Sequence, residues 1–125
     1  MRIGFAFVLL FAVSLASLAT PAVGAPRPLT LDDMFALRRV ADPQISPDGR
    51  NVAYVVTTVD LAKNSSAATI WLAPTESGAP RQLTGGPKND RHPRFSPDGK
   101  KILFESNRSG DWQLWVIELA GGEAR

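Results

Sequence analysis

Pro43-Gln-Ile-Ser-Pro-Asp-Gly-Arg-Asn-Val-Ala-Tyr54 returns fifty residues later as Pro93-Arg-Phe-Ser-Pro-Asp-Gly-Lys-Lys-Ile-Leu-Phe104. A proline, the tetrapeptide Ser-Pro-Asp-Gly, a basic residue and an apolar pair recur in register. Further on, Ile70-Trp71-Leu72 matches Leu114-Trp115-Val116 at an offset of 44. The second copy is therefore six residues shorter in its middle, where the first carries Asp60–Ala68 (DLAKNSSAA), read as a loop. Ser77-Gly78-Ala79-Pro80-Arg81 then aligns with Gly121-Gly122-Glu123-Ala124-Arg125. Self-similarity at a period of about 40–50 residues points to a repeat architecture, and propellers lead when the units are short strands.

Each unit reads as strands. Ser46-Pro47-Asp48-Gly49 and Ser96-Pro97-Asp98-Gly99 carry the residues of a tight turn. Proline in the second position fixes φ, aspartate bonds back to the backbone, and glycine takes the left-handed position. Gln44–Ser46 is short and extended, and Asn51–Thr58 (NVAYVVTT) is the strongest strand of the chain because it is rich in β-branched and aromatic residues. Thr69–Ala73 and Arg81–Thr84 complete the first unit, the latter closed by Gly85-Gly86-Pro87. Arg94–Ser96, Lys101–Ser106 and Trp112–Leu119 follow in the second, with Asn107–Gly110 as a hairpin. Four antiparallel strands make one propeller blade. The expected fold is all-β: a partial β-propeller of about two four-stranded blades, residues 43–86 and an incomplete 87–125, preceded by a short helix and a signal peptide.

The start of the chain supplies those two segments. Met1-Arg2 precedes an uncharged stretch in which Phe5–Val13 (FAFVLLFAV) is strictly apolar. That run is far shorter than the roughly 20 residues of a membrane span, and it suits a secretory signal at 1–24. Ala22 and Gly24 fit the small-x-small cleavage rule, so cleavage after Gly24 is preferred over Ala25, which Pro26 follows. The competing reading is an uncleaved N-terminal anchor. An exported chain, periplasmic or extracellular and without a stable membrane anchor, is expected. Residues 25–42 form a lead-in in which Thr30 caps a helix over 31–39. Asp32 and Asp33 fall in its first turn, Leu31, Met34, Phe35 and Leu37 give an apolar face, and Arg38-Arg39 close it.

Composition removes most chemistries. Of 125 residues, 44% are hydrophobic and 21% charged; 14 Lys and Arg stand against 12 Asp and Glu, and the formal charge is +2. So near a balance, with Arg91, Arg94, Lys100, Lys101 and Arg108 interspersed among Asp90, Asp98 and Glu105, gives a mixed solvated surface and no case for a nucleic-acid partner. The absence of cysteine excludes disulfides, Cys-ligated zinc and iron–sulfur clusters. A lone Asp-Gly in each of the Asp48 and Asp98 turns lacks the alternating oxygen ligands of a calcium loop. No cofactor or metal is expected. Trp71 and Trp115 occupy equivalent strand positions and are read as repeat core or inter-blade packing. Trp112, at a strand start, is read as more exposed.

The pattern Pro-x-φ-Ser-Pro-Asp-Gly-(Lys/Arg)-x-φ-x-φ, where φ is an apolar residue, followed by φ-Trp-φ and Gln-Leu-Thr, resembles the WD-repeat-like blades of exported bacterial proteins. The lead-in Leu29–Pro43 (LTLDDMFALRRVADP) resembles the start of prolyl oligopeptidase family serine peptidases, particularly the acylaminoacyl-peptidase and dipeptidyl-peptidase-like branches. The resemblance covers about residues 29–125. It implies a propeller that filters substrates ahead of an α/β-hydrolase domain bearing a Ser–Asp–His triad. The partners so implied are further C-terminal blades, that hydrolase domain and peptide substrates. None of the triad maps here: no glycine is followed by serine two positions on, so the Gly-x-Ser-x-Gly elbow is absent, and His92 is the sole imidazole. His92 reads as a loop residue helping to set a turn. By itself this chain is expected not to be a peptidase. The alternative is a protein-binding propeller of the Tol–Pal translocation-protein type, which carries an α/β domain before its blades where this chain has a single helix. Arg125 aligns with Arg81, which the first copy follows with Gln82-Leu83-Thr84, so the sequence reads as stopping mid-blade. Two blades cannot close a ring, and the isolated chain is expected to be marginal or aggregation-prone.

Overall fold

A computed structural model describes residues 26–86 and 88–125, and the signal-peptide reading for 1–24 lies outside the described residues. Helix α1 (Leu31–Ala36) leads into strands β1 (Arg39–Ile45), β2 (Asn51–Asp60), β3 (Ser65–Pro74) and β4 (Arg81–Gln82). These four form one antiparallel sheet in sequence order, the first blade. Strands β5 (Asp90–Phe95), β6 (Lys101–Ser106) and β7 (Gln113–Glu118) form the second blade. Beyond β7, Val116 N–H donates to Arg125 O at 2.8 Å and Arg125 N–H donates to Val116 O at 3.0 Å. Leu72 pairs with Arg81 in the same way in the first blade. The repeat read from the sequence is thus reproduced in the hydrogen-bond register. The chain is nearly all β, as expected.

The two Ser-Pro-Asp-Gly turns match atom for atom. Gly49 N–H donates to Ser46 O and Gly99 N–H to Ser96 O, both at 2.9 Å. Ser46 Oγ donates to Asp48 Oδ1 at 2.6 Å, and Arg50 N–H donates to the same oxygen at 3.0 Å. Ser96 and Lys100 repeat these bonds to Asp98 at 2.5 and 3.0 Å. Asn51 N–H and Lys101 N–H then reach back to the serine oxygens, tying the turn to the start of the next strand. The serine hydroxyl, then the following amide, holds each aspartate carboxyl below the usual carboxylate range. Gly49 and Gly99 sit at φ +72° and +68°, where a Cβ is disfavoured.

Three local expectations change. The helix ends at Ala36 rather than 39, because Leu37 is already extended (φ −66°, ψ 133°) and Arg39–Ala41 pair with Val55–Thr57 of β2. Sheet hydrogen bonds there replace another helical turn, and Arg38-Arg39 close nothing. The stretch Asp60–Ala68 is a hairpin rather than a loop: Ser65–Ala68 pair with Thr57–Asp60, leaving only a turn at 61–64 with Asn64 at φ +46°. Thr57, Thr58 and Val59 are β-branched and carry β2 outward. The entry strands start earlier than 44 and 94, and each bends through a bulge at the residue before its proline: Asp42 at φ +48° and His92 at φ +53°.

The core lies between the blades. Ala53, Ile70 and Leu72 from the first blade pack with Ile102, Phe104 and Ile117 from the second, and Phe95 and Trp115 adjoin them. Side chains alternate along a strand, so Tyr54 and Trp71, paired across β2 and β3, face the other way. Each blade thus has two faces, and among the described residues the joint covers one face of each, although Val56, on the Tyr54 side of β2, is also buried at 6% exposed. Leu103 and Leu114 occupy the positions of Ala53 and Ile70 on the uncovered face of the second blade; they are 40% and 67% exposed where their counterparts are 0%.

Two predictions follow from the turns. Gly49→Ala and Gly99→Ala each lower stability by about 1–2 kcal/mol through the left-handed backbone alone. A Cβ at Gly49 meets nothing within 4 Å and one at Gly99 meets Pro47 Cδ at 3.6 Å, so neither loss is steric; urea unfolding measures both. Because the folded-state pKa values of Asp48 and Asp98 are lowered, their contribution is present above about pH 4 and is lost as pH falls through the folded values. The urea midpoint accordingly falls on acidification below pH 4, with a shallower slope in Asp48→Asn/Asp98→Asn.

Candidate functional site

The titratable side chains gather along β5 and its neighbours, where the two blades meet. His92 Nδ1 lies 3.3 Å from Glu105 Oε1, and Arg91 Nε donates to Glu105 Oε2 at 2.8 Å. Arg91, ahead of His92, holds the Glu105 carboxyl below its ordinary range. The Arg91 guanidinium lies 3.7 Å from the centroid of the exposed Trp112 ring, a cation–π contact. His92 therefore sits on a strand bulge and is engaged by a carboxylate, and no serine hydroxyl is among its partners.

One residue further, the bulges join the blades. Arg94 Nη1 donates to both Asp42 carboxylate oxygens at 3.2 Å and to Pro93 O at 2.7 Å. Gln44 Nε2 donates to Asp42 Oδ1 at 2.9 Å. The left-handed conformation at Asp42 is what brings its carboxylate within reach of the second blade, and Asp and His are among the non-glycine residues that tolerate it.

Asp90, at the start of β5, is a buried carboxylate, 1% exposed. Arg108 Nη2 bridges both its oxygens at 3.1 Å, and Arg108 Nε donates to Ser106 Oγ at 3.0 Å. The same guanidinium lies 5.2 Å from the Phe104 and Trp115 ring centroids. Asn89 extends the network: its N–H donates to Asn107 Oδ1 and its Oδ1 accepts from Ala68 N–H of the first blade. Arg81 donates to Leu119 O, a further tie between blades. Val40 and Val56 stand at the positions of Asp90 and Ser106 in the first blade, so no repeat signal marks this network in the sequence. The bulges did carry one: an Asp or His before proline at equivalent places.

Of the residues singled out from the sequence, Ser46–Gly49 and Ser96–Gly99 form the paired turns, remote in role from the charged groups. The two tryptophans differ. Trp115 packs beside Phe104 in the joint, and its buried Nε1 has no hydrogen-bond partner. Trp71 lies on the outward face of the first blade and donates from Nε1 to Thr69 Oγ1 at 3.1 Å. Among the described residues, no cluster of three or more metal-ligating side chains occurs and no helix is long and apolar enough to cross a membrane. What the arrangement does is hold two blades in register.

That blade geometry agrees with a family model, the TolB beta propeller domain, which matches residues 36–125. The chain belongs to the TolB β-propeller family. The chain is 43% identical over 98 residues to an uncharacterized peptidase, YuxL, of Bacillus subtilis, covering 78% of this chain and 15% of that one. It is also 37% identical over 94 residues to a TolB homolog of Chlorobium luteolum, covering 75% of this chain and 21% of that protein. Among solved structures, the acylaminoacyl peptidase of Pyrococcus horikoshii superposes with a TM-score of 0.60 at 32% identity, covering 74% of this chain and 14% of that one. The resemblance to peptidase propellers drawn from the lead-in and the turns therefore holds. This TolB-family chain spans about a seventh of the length of those peptidases.

The buried pair sets a prediction. Arg108→Met leaves the Asp90 carboxylate unpaired and costs about 3 kcal/mol or more, whereas Asp90→Asn/Arg108→Met costs less than the sum of the single changes. A double-mutant cycle by urea unfolding measures the coupling.

Proposed function

We propose that this chain is the non-catalytic, N-terminal propeller segment of an exported serine peptidase acting on peptides. In this reading the propeller covers and filters access to an α/β-hydrolase domain encoded further along. The observation that carries it is the uncovered face of the second blade. Leu103 and Leu114 repeat the positions of Ala53 and Ile70, which a following blade buries completely. A sheet face of that kind fits a propeller that continues, and identities of 43% and 32% to an uncharacterized peptidase and an acylaminoacyl peptidase support a peptidase as the continuation. Lids and cavities that select substrate by size are a general means of gating. The short apolar run at the N-terminus supports export.

A second reading is favoured by the family model itself and by the TolB homolog: a periplasmic propeller that binds protein and has no catalytic domain. The run of α1 straight into the first blade fits the lead-in of the peptidase reading.

The test is the open reading frame beyond codon 125 and the protein it encodes. A Gly-x-Ser-x-Gly elbow, labelling of that serine by a fluorophosphonate, and cleavage of short chromogenic peptides are expected, with both activities lost on Ser→Ala in the elbow. Residues 1–125 alone remain unlabelled. A frame that ends in blades without an elbow, or a full-length protein inert to the label, overturns the peptidase in favour of the second reading.

A further inference from the structure

One peptide bond in this fold joins a reactive sequence to a restrained side chain. Asp42 precedes Pro43 at the bulge of β1. It sits at φ +48°, a left-handed conformation that is costly for a residue with a side chain and more so ahead of a proline ring. An Asp–Pro bond carries its own nucleophile and a good leaving group. The side-chain carboxylate can close a five-membered ring onto its own carbonyl carbon. The proline nitrogen, in a tertiary amide with no N–H, then leaves as a secondary amine. Having both groups on one residue supplies the proximity that an intermolecular attack lacks.

Here both carboxylate oxygens are engaged by other groups. Arg94 Nη1, on the neighbouring blade, donates to Oδ1 and Oδ2 at 3.2 Å, and Gln44 Nε2 donates to Oδ1 at 2.9 Å. Among the charged side chains of β2 and β5, the strands that contact β1, Arg94 is the one within ion-pair distance of Asp42. Strand pairing at Ala41↔Val55 and Gln44↔Ala53 fixes the backbone on either side of the bond. The Asp42 side chain is 24% exposed, enough for a proton and a water to reach it. In the second copy His92-Pro93 has the same bend, at φ +53°, without a carboxylate, so the reactive pair belongs to the first blade alone.

We propose that the Asp42–Pro43 bond is a latent self-cleavage site that Arg94 holds closed across the joint. When the clamp is released, a carboxylate oxygen of Asp42 attacks the Asp42 carbonyl carbon. The C–N bond breaks as the proline nitrogen takes a proton from solvent, and a cyclic anhydride remains on Asp42. One water opens the anhydride, leaving Asp42 with two carboxyl groups and Pro43 with a free amine. The net change is hydrolysis of one peptide bond, with nothing oxidised or reduced. The cut divides α1 and the first half of β1 from the blades. Because the clamp spans both blades, the bond meets its own carboxylate only when the joint loosens. The inference rests on residues at the joint and stands whether or not the peptidase reading does.

Incubation of the chain at about pH 4.5, where an ordinary aspartate is still mostly ionised, followed by intact-mass analysis tests it. The folded chain stays whole, and the chain unfolded in urea splits into a fragment ending at Asp42 and one beginning at Pro43. Arg94→Met, folded by circular dichroism, splits at the same bond about tenfold faster than the unsubstituted chain, as loss of a charge-assisted pair implies. Gln44→Ala accelerates the cut to a smaller degree and takes its place should Arg94→Met not fold. Adding Asp42→Ala to either abolishes the cut. Gly99→Ala lowers stability away from the bulge and leaves the rate unchanged, which separates release of the clamp from general unfolding. A folded chain that splits as fast as the unfolded one, clamp variants as resistant as the unsubstituted chain, equal acceleration by Gly99→Ala, or a cut that survives Asp42→Ala overturns the proposal.

Discussion

Everything in this molecule hangs on the apolar joint between two sheets. A four-stranded blade has two faces and no means of burying either one by itself. Ala53, Ile70 and Leu72 are dry only because Ile102, Phe104 and Ile117 lie on them. At about 1.5–3 kcal/mol for each large apolar side chain removed from water, that contact outweighs any single hydrogen bond or surface ion pair in the structure. The polar ties from Arg94 to Asp42 and from Asn89 to Ala68 then fix the register in which the faces meet. The hydrophobic term favours closeness, and the directional bonds choose one alignment.

The Ser-Pro-Asp-Gly turns do a different job. Each closes an entry strand onto the long strand after it, using only groups within six residues of chain. A local device of this kind works wherever it is copied, which is why both turns have the same bonds although their surroundings differ. The bulges before Pro43 and Pro93 also recur, yet their side chains diverge in use: Asp42 reaches across to Arg94, and His92 turns to Glu105 on its own sheet. A shared backbone shape has been given unlike tasks. That relatives named as a peptidase and as a TolB homolog share these repeats agrees with the rule that one fold can serve unlike functions.

The parts of this fold legible from residues alone were those set by short-range chemistry. Proline, aspartate and glycine in fixed order announce a turn, β-branched runs announce strands, and the offset of 50 between copies announces a repeat. The lack of a Gly-x-Ser-x-Gly motif and the solitary histidine are likewise plain in the residues without any coordinates. The errors fell where a neighbouring strand outbids a local preference. Residues 37–39 are amphipathic enough for helix, but β2 offers them hydrogen bonds. Asp60–Ala68 is polar and small enough for a loop, but facing residues extend both strands through it. The Asp90–Arg108 pair had no signal, because nothing in the first copy corresponds to it.

By itself, then, the sequence determined the repeat, the turns and the strand centres, since each depends on residues close together in the chain. Only the tertiary structure decided which face of each blade is covered, and so why Trp115 lies in the core while Trp71, at the same point of its repeat, looks outward. Equivalent residues see the same strand but not the same neighbour. Burial is a property of the pair of surfaces that meet, and no periodicity within one strand records which of its sides meets another.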